Sequence, residues 1–197
     1  MSLIKLNNNG VKNITSVGSI GTGDLVFISK QTASSDASIS FTSGIDSTYK
    51  EYVFYFVNCH PSANGGYFQL NFRDGGTDYD ATKTTTSFSA RHKEDDSTAE
   101  LSYKSGSDLT QETGFQNVDV HGISNDDDNA ISGILHLFNP SSTTFVKHFL
   151  IRSVSGTNAD DNFIAGYCNT TSAIDGVQFK FQSGNIDSGD ILLYGVN

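Results

Sequence analysis

The sequence predicts an all-β protein: a jelly-roll-like antiparallel β-sandwich of about ten strands, with long loops and an extended N-terminal arm. Short apolar runs, several of them alternating, are separated only by clusters of Asn, Pro, Ser, Gly and Asp, which is the pattern of strands joined by turns. The chain also has 14 Phe and 8 Tyr, whose large rings can fill the space between two sheets. A Greek-key sandwich of another topology fits the same observations equally well.

The first 22 residues are rich in Asn, Gly, Ser and Thr, a composition that can lie extended but cannot build a core. We therefore predict an arm over 1–22 and a single β-sandwich domain over 23–197. An arm of this kind can add a strand or a lid to a neighbouring chain, although a strand folded back onto its own domain is equally compatible. The apolar residues that would make the assembly contact are Leu3, Ile4, Leu6, Val11 and Ile14.

The first strands of the domain are predicted over 25–28 and 37–41, and alternation in the second implies one buried and one solvated face. Residues 51–57 are apolar on both sides, which predicts a central strand covered on both faces. After the turn residues 64–66, the run 67–72 is expected to form a hairpin with that central strand.

The middle of the chain, 74–129, is much less apolar and predicts long loops joined by edge strands near 84–90, 101–103 and 118–123. Long loops on a rigid scaffold are where binding usually occurs, so if the protein recognises a ligand, the site is expected in this region. Four aromatic residues of this region could stack on sugar rings, or could instead fill the core beneath a loop. They are Tyr79, Phe88, Tyr103 and Phe115.

The last third of the chain predicts the most regular strands, because alternating apolar runs there are hinged by short turns. Proline fixes φ in the turn 139–142, and glycine allows a positive φ in the turn 183–185. The predicted strands cover 130–138, 143–154, 163–169, 176–182 and 190–196.

The formal charge of −10 disfavours nucleic acid as a partner, since a phosphate backbone demands clustered Lys and Arg. No apolar stretch is long enough to insert into a membrane, and the N-terminus lacks a signal-peptide core, so we expect a soluble protein made in a cytoplasm. The runs of acidic residues in predicted loops are most simply interpreted as solvent-exposed loop tips. We expect no cofactor, with calcium held by Asp126, Asp127 and Asp128 as the alternative.

Catalytic signals are weak throughout the chain. The five histidines do not have the spacing of metal ligands, and no Gly-x-Ser-x-Gly motif indicates a nucleophilic serine. We therefore do not expect an enzyme. Cys59 and Cys168 are compatible with two reduced, packed thiols or with one disulfide bridge, because the sequence does not give the distance between them.

Three stretches resemble a family of short virion proteins of tailed bacteriophages, especially those that infect marine cyanobacteria. The resemblance spans roughly 25–197, and its motifs are turn-and-strand signatures without chemistry. The stretches are 48–54 with Asn58 and Pro61, then 138–144, and then 169–175 running on to 193–195.

The resemblance implies a tail-fibre, appendage or capsid-surface component located in the virion. It also implies other virion proteins as partners and a homo-oligomer, for instance a trimer. The chain has no collagen-like or coiled-coil shaft, so its place on the particle stays open. We therefore expect a non-enzymatic structural protein displayed on tail or capsid and held by subunit contacts. The alternative is a receptor- or carbohydrate-binding module of the adsorption apparatus that contacts a host-surface glycan.

Overall fold

A computed structural model describes residues 25–156 and 158–197, and within them the protein is all-β, with antiparallel strands and no helix. The predicted β-sandwich is confirmed, whereas the predicted arm over 1–22 lies outside the described residues. The strands are β1 Leu25–Thr32, β2 Ile39–Phe41, β3 Glu51–Pro61, β4 Phe68–Arg73, β5 Lys83–His92, β6 Ala99–Tyr103, β7 Thr110–Glu112, β8 Gln116–Asn117, β9 Ile131–Phe138, β10 Lys147–Ser155, β11 Ala159–Cys168, β12 Gly176–Phe181 and β13 Ile186–Val196.

Two sheets of unequal size form the sandwich. The large sheet has nine strands in the order β1-β13-β3-β9-β10-β11-β5-β6, with β7 pairing β5 off this path, and the small sheet has the order β2-β12-β4-β8. From β1 to β4, consecutive strands alternate between the large and the small sheet. This alternation is compatible with the predicted jelly-roll-like connectivity, which stays a prediction.

The core lies between the sheets and is built from aromatic rings contributed by both of them. Phe54 and Phe56 project from β3, and their ring centroids lie 5.7 Å from Phe179 and 5.5 Å from Phe68, respectively. All four side chains are fully buried. Tilted rings at these separations contribute energy beyond their buried area, so the aromatic layer holds the two sheets together.

Strand β3 occupies the centre that its apolar sequence predicts, between β13 and β9. The predicted hairpin between β3 and β4 is wrong, because β3 belongs to the large sheet while β4 pairs with β12 and β8 in the small sheet. Turn residues such as Gly65, with φ of 74°, let the chain reverse direction. They do not specify whether the next strand joins the same sheet or the opposite one.

The middle of the chain is more regular than predicted, because β5 is a ten-residue strand of the large sheet. Its inward side chains are polar, so the buried face of the strand does not show up as alternating apolar residues in the sequence. The strand expected over 118–123 is wrong. That segment is irregular, although Val118 and Ile123 are buried in the core.

The two cysteines are free thiols, as in the first of the two alternatives left open by the sequence. Both side chains are fully buried, and burial raises the pKa of Cys59 and of Cys168 to about 12. A thiol with so high a pKa is protonated at neutral pH and is a poor nucleophile. These cysteines therefore serve as packed core residues.

Candidate functional site

The outer face of the large sheet, turned away from the small sheet, is the most unusual surface of the described residues. An antiparallel sheet normally presents polar side chains to solvent. On β10 the outward positions instead include Leu150 and Val154, which are about half exposed, and on β6 Leu101 is 73% exposed. Further exposed apolar side chains of the large sheet are Leu25, Phe27, Val57, Phe88 and Tyr103.

Strand register aligns part of this face into one continuous row of side chains, which we call the outer row. Neighbouring members are direct cross-strand partners and therefore contact one another on the same face. The rings of Phe88 and Phe163 stack with centroids 4.8 Å apart and an interplanar angle of 4°. The outer row consists of Tyr55 on β3, Ile134 on β9, Arg152 on β10, Phe163 on β11, Phe88 on β5 and Tyr103 on β6.

A groove of about 460 Å³ runs beside the outer row, and we call it the outer groove. Its second wall comes from the adjacent row, in which Leu150 pairs with His136 on one side and with Ala165 on the other. The side chains that line the outer groove are Phe88, Ile134, His136, Leu150, Arg152 and Phe163.

The charged and hydrogen-bonding side chains around the outer groove are paired with one another. The Arg152 guanidinium donates two hydrogen bonds to the Asp161 carboxylate, at 3.0 and 2.7 Å, and lies over the Phe163 ring at 4.9 Å. His136 Nδ1 lies 2.5 Å from Glu51 Oε1. The outer face therefore combines exposed apolar groups with compensated charges, which is the character of a contact surface rather than of a solvated one.

The four aromatic residues predicted for sugar stacking do not form one site. Phe88 and Tyr103 are cross-strand partners in the outer row. Tyr79 is half-buried beside the Arg73 guanidinium, at 6.0 Å from the ring centroid. Phe115 lies on the other side of the molecule, against the small sheet.

The acidic residues predicted to bind calcium lie at one end of the sandwich. Asp127 and Asp128 line a polar depression together with His60 and Asp187, while Asp126 accepts a hydrogen bond from Ser124 at 2.8 Å. Among residues 25–156 and 158–197, no three His, Cys, Asp or Glu side chains are gathered closely enough to hold a metal ion. Calcium binding stays a prediction without a defined ligand set.

A buried polar layer, which the sequence analysis missed, lies between β5, β10, β11 and the segment 118–129. Asp119 is fully buried and accepts hydrogen bonds from the backbone amides of Phe68, His121 and Gly122. Burial, more than the nearby Asp160 carboxylate, raises the pKa of Asp119 to about 6. The alternating polar residues on β5 were the signal in the sequence that could have revealed this layer. They look like a solvent-exposed face, however, unless it is known that the segment 118–129 covers them.

Within this layer, Ser89, His121 and Asp160 lie together without the geometry of a catalytic triad. Ser89 Oγ lies 3.2 Å from His121 Nε2, and the Asp160 carboxylate lies 4.0 Å from that same nitrogen. In a triad the nucleophile and the carboxylate contact opposite ring nitrogens. Here the opposite nitrogen, Nδ1, lies 3.4 Å from Arg91 Nη1, which is a hydrogen-bond donor and not a carboxylate. The arrangement therefore suits packing and hydrogen bonding better than activation of a nucleophile.

Comparison with known proteins does not assign the chain to a family, because no family model matches the sequence and no curated protein is significantly similar to it. No helix in the described part of the chain could cross a membrane. The function of the protein is therefore inferred from the surface chemistry of the sandwich.

Proposed function

We propose that this protein is a non-enzymatic structural subunit of a tailed-phage particle, displayed on the tail or the capsid surface and held by subunit contacts. The observation that carries the proposal is the exposed apolar face of the large sheet, with the outer row and the outer groove at its centre. The virion setting is supported by the three stretches that resemble short virion proteins of tailed phages.

The partner we assign to the outer face is a second copy of the chain. Aliphatic and aromatic side chains gain about 1.5–3 kcal/mol each when they are fully buried, so an exposed face of this kind favours association. The chain carries a net charge of −10, which makes two copies repel each other. Because the charges of the outer face are paired, repulsion is weakest where two such faces meet, and contacts elsewhere are disfavoured.

Leu150→Glu tests this assembly surface. Leu150 is 49% exposed at the centre of the outer face, so a glutamate there can be solvated in the isolated subunit. In the assembled state the carboxylate would be buried without a partner, and we expect self-association to weaken at least about 100-fold. Sedimentation velocity measures the change, and thermal unfolding verifies that the subunit remains folded.

The matched control is Phe145→Glu, which adds the same charge at a 68% exposed apolar residue in the turn between β9 and β10. The control should keep the wild-type oligomeric state. A wild-type protein that is monomeric at high concentration, or a Leu150→Glu variant that associates normally, would contradict the proposed contact surface.

The virion setting has a separate test. Mass spectrometry of purified particles should detect the protein in a fixed copy number, and immunogold labelling should place it on the tail or on the capsid surface. Deletion of 1–22 is expected to leave the domain folded but prevent incorporation into particles, if the arm is an assembly contact. Incorporation of the truncated chain at the normal copy number would refute that role for the arm.

A further inference from the structure

Another concave site lies against the small sheet and reaches the β6 edge of the large sheet through Asp108. Its volume is about 260 Å³, just below the roughly 300 Å³ at which sites for drug-sized ligands begin. The pocket is therefore suited to a single ring. We call it the amide pocket, and its main lining residues are Tyr67, Gln69, Asp108, Phe115, Asn117 and Gln182.

Strand pairing explains why these side chains converge. Gln69 on β4 is the direct cross-strand partner of Asn117 on β8, and the amide of Gln182 donates a backbone hydrogen bond to Tyr67 at 2.8 Å. Phe68 is buried in the core, so its neighbour Gln69 projects to the opposite, outer side of the small sheet. The loop between β6 and β7 supplies Asp108 and closes the pocket.

The polar groups of the amide pocket are held in fixed orientations. Gln69 Nε2 donates to Asn117 Oδ1 at 2.8 Å, and Gln69 Oε1 has no hydrogen-bond donor among the described residues, so it can accept from a ligand. The Tyr103 hydroxyl donates to Asp108 Oδ2 at 2.5 Å, which leaves Asp108 Oδ1 available. Binding groups held in this way lose little conformational entropy when a ligand arrives.

The wall of the pocket is anchored from beneath by a buried side chain. Gln116 is fully buried, and its Nε2 donates to the carbonyl oxygens of Ser107 and Asn117, both at 2.8 Å. Its Oε1 accepts a hydrogen bond from Thr85 Oγ1 at 2.7 Å. These bonds tie the β6–β7 loop to β5 and β8, so the pocket is a built feature rather than an accidental gap between loops.

The aromatic ring of Phe115 lies at the edge of the polar side chains of the amide pocket. Phe115 lines the pocket, and Lys180 Nζ lies 4.1 Å from the centroid of its ring. The cation–π contact holds the ring in place. Amide and carboxylate oxygens beside aromatic carbon match a sugar, which presents hydroxyl donors on its rim and C–H groups on its faces.

We propose that the amide pocket binds a neutral saccharide unit. A neutral sugar fits better than an acidic one, because Asp108 lines the pocket and the whole chain carries a charge of −10. In this role Asp108 and Gln69 accept hydrogen bonds from sugar hydroxyls, Phe115 packs against the ring, and Tyr103 positions Asp108. The site goes beyond the assembly role and does not depend on it.

The test uses the full chain and a panel of neutral hexoses and N-acetylhexosamines, followed by saturation-transfer NMR and titration calorimetry. At least one sugar should bind saturably in the millimolar range or better. Asp108→Asn should weaken that affinity at least tenfold, because a hydrogen bond to a carboxylate is replaced by a weaker one or lost. Phe115→Ala should weaken it by a similar factor.

Phe145→Ala is the matched control, since it removes an exposed phenylalanine from the turn between β9 and β10 rather than from the pocket, and it should bind the sugar like the wild type. Absence of saturable binding to every sugar in the panel would overturn the proposal. So would unchanged affinity in Asp108→Asn, or loss of binding in Phe145→Ala. Asp108→Asn should retain the wild-type oligomeric state, so failure of the saccharide site and failure of the assembly surface give different results.

Discussion

Asp119 shows how one buried residue holds an irregular segment in place. Its carboxylate accepts backbone hydrogen bonds at 2.7 Å from Phe68, 2.6 Å from Gly122 and 3.2 Å from His121. These bonds connect the segment before β9 to the start of β4 and satisfy donors that would otherwise be buried without partners. The same burial raises the pKa of Asp119 to about 6, so the anchor depends on pH.

Asp119→Asn tests this dependence. The folded-state pKa lies above the ordinary value of 3.8, so the folded protein binds the proton more tightly than the unfolded chain. The resulting stability is fully present below about pH 4 and is lost as the pH rises through about 6. The free energy of unfolding of the wild type, minus that of the variant, should therefore fall between pH 4 and 7, by up to about 3 kcal/mol.

Urea unfolding of both proteins across this range measures the difference, and groups common to both cancel. A difference that stays constant with pH would show that folding does not raise the pKa of Asp119. His121 acts in the opposite direction in both proteins, because burial lowers the pKa of its imidazole and stability is lost as the pH falls through that pKa.

Two lysines in the large sheet also depart from the usual behaviour of their residue type. Lys83 and Lys147 are fully buried on either side of Cys168, which pairs with both in the strand register. Lys83 Nζ donates to Asn71 Oδ1 at 2.5 Å and to the Ala81 carbonyl at 2.7 Å. Burial lowers the pKa of Lys83 to about 8. Both lysines thus contribute to the interior rather than to the surface charge.

At the scale of elements, β12 shows how a strand of the small sheet is joined to the large sheet. It pairs with β2 and with β4 within the small sheet. Its Phe179 side chain lies against Phe54 and Phe56 of the large sheet, at centroid distances of 5.7 and 6.4 Å. One ring thereby connects strands that are far apart in the chain.

Phe179→Ala should cost about 4 kcal/mol of unfolding free energy, because it removes a fully buried ring and leaves a cavity between the sheets. Phe145→Ala removes the same side chain from a 68% exposed position and should change stability by less than about 0.5 kcal/mol. Chemical denaturation of both variants gives the comparison. Similar costs for the two variants would mean that the aromatic layer is not what holds the sheets together.

For the whole molecule, the contrast between an acidic chain and a neutral apolar face predicts how salt acts on assembly. Repulsion between copies that each carry −10 weakens as ions screen it, whereas burial of apolar surface does not depend on charge. Self-association should therefore tighten as NaCl is raised from about 0.05 to about 0.5 M. Sedimentation velocity measures the trend, and weaker association at high salt would indicate an interface held by ion pairs instead of the outer face.

Much of the fold could be predicted because strand signals are local. The alternation over 143–154 anticipated β10, whose side chains point inward and outward in turn. The two-sided apolar run over 51–57 anticipated the central place of β3. The strands that were missed, β7 and β8, are three and two residues long and polar, so they carry no apolar pattern.

The candidate sites were harder to predict from the sequence. The sequence identified three aromatic residues in a polar region, namely Phe88, Tyr103 and Phe115. It did not predict that Phe88 stacks on Phe163, because Phe163 lies far along the chain. Gln69 and Asn117 of the amide pocket gave no signal at all, because amide residues in the sequence resemble any solvated position.

The sequence by itself determined where most of the strands lie, which residues alternate and that the chain is acidic, because these properties depend on neighbours along the chain. Only the tertiary structure decided which faces are covered, that β3 and β4 separate into different sheets, and that the outer row forms. The physical reason is strand register: it is set by pairing between distant segments, and shifting it by one residue would turn each side chain to the opposite face.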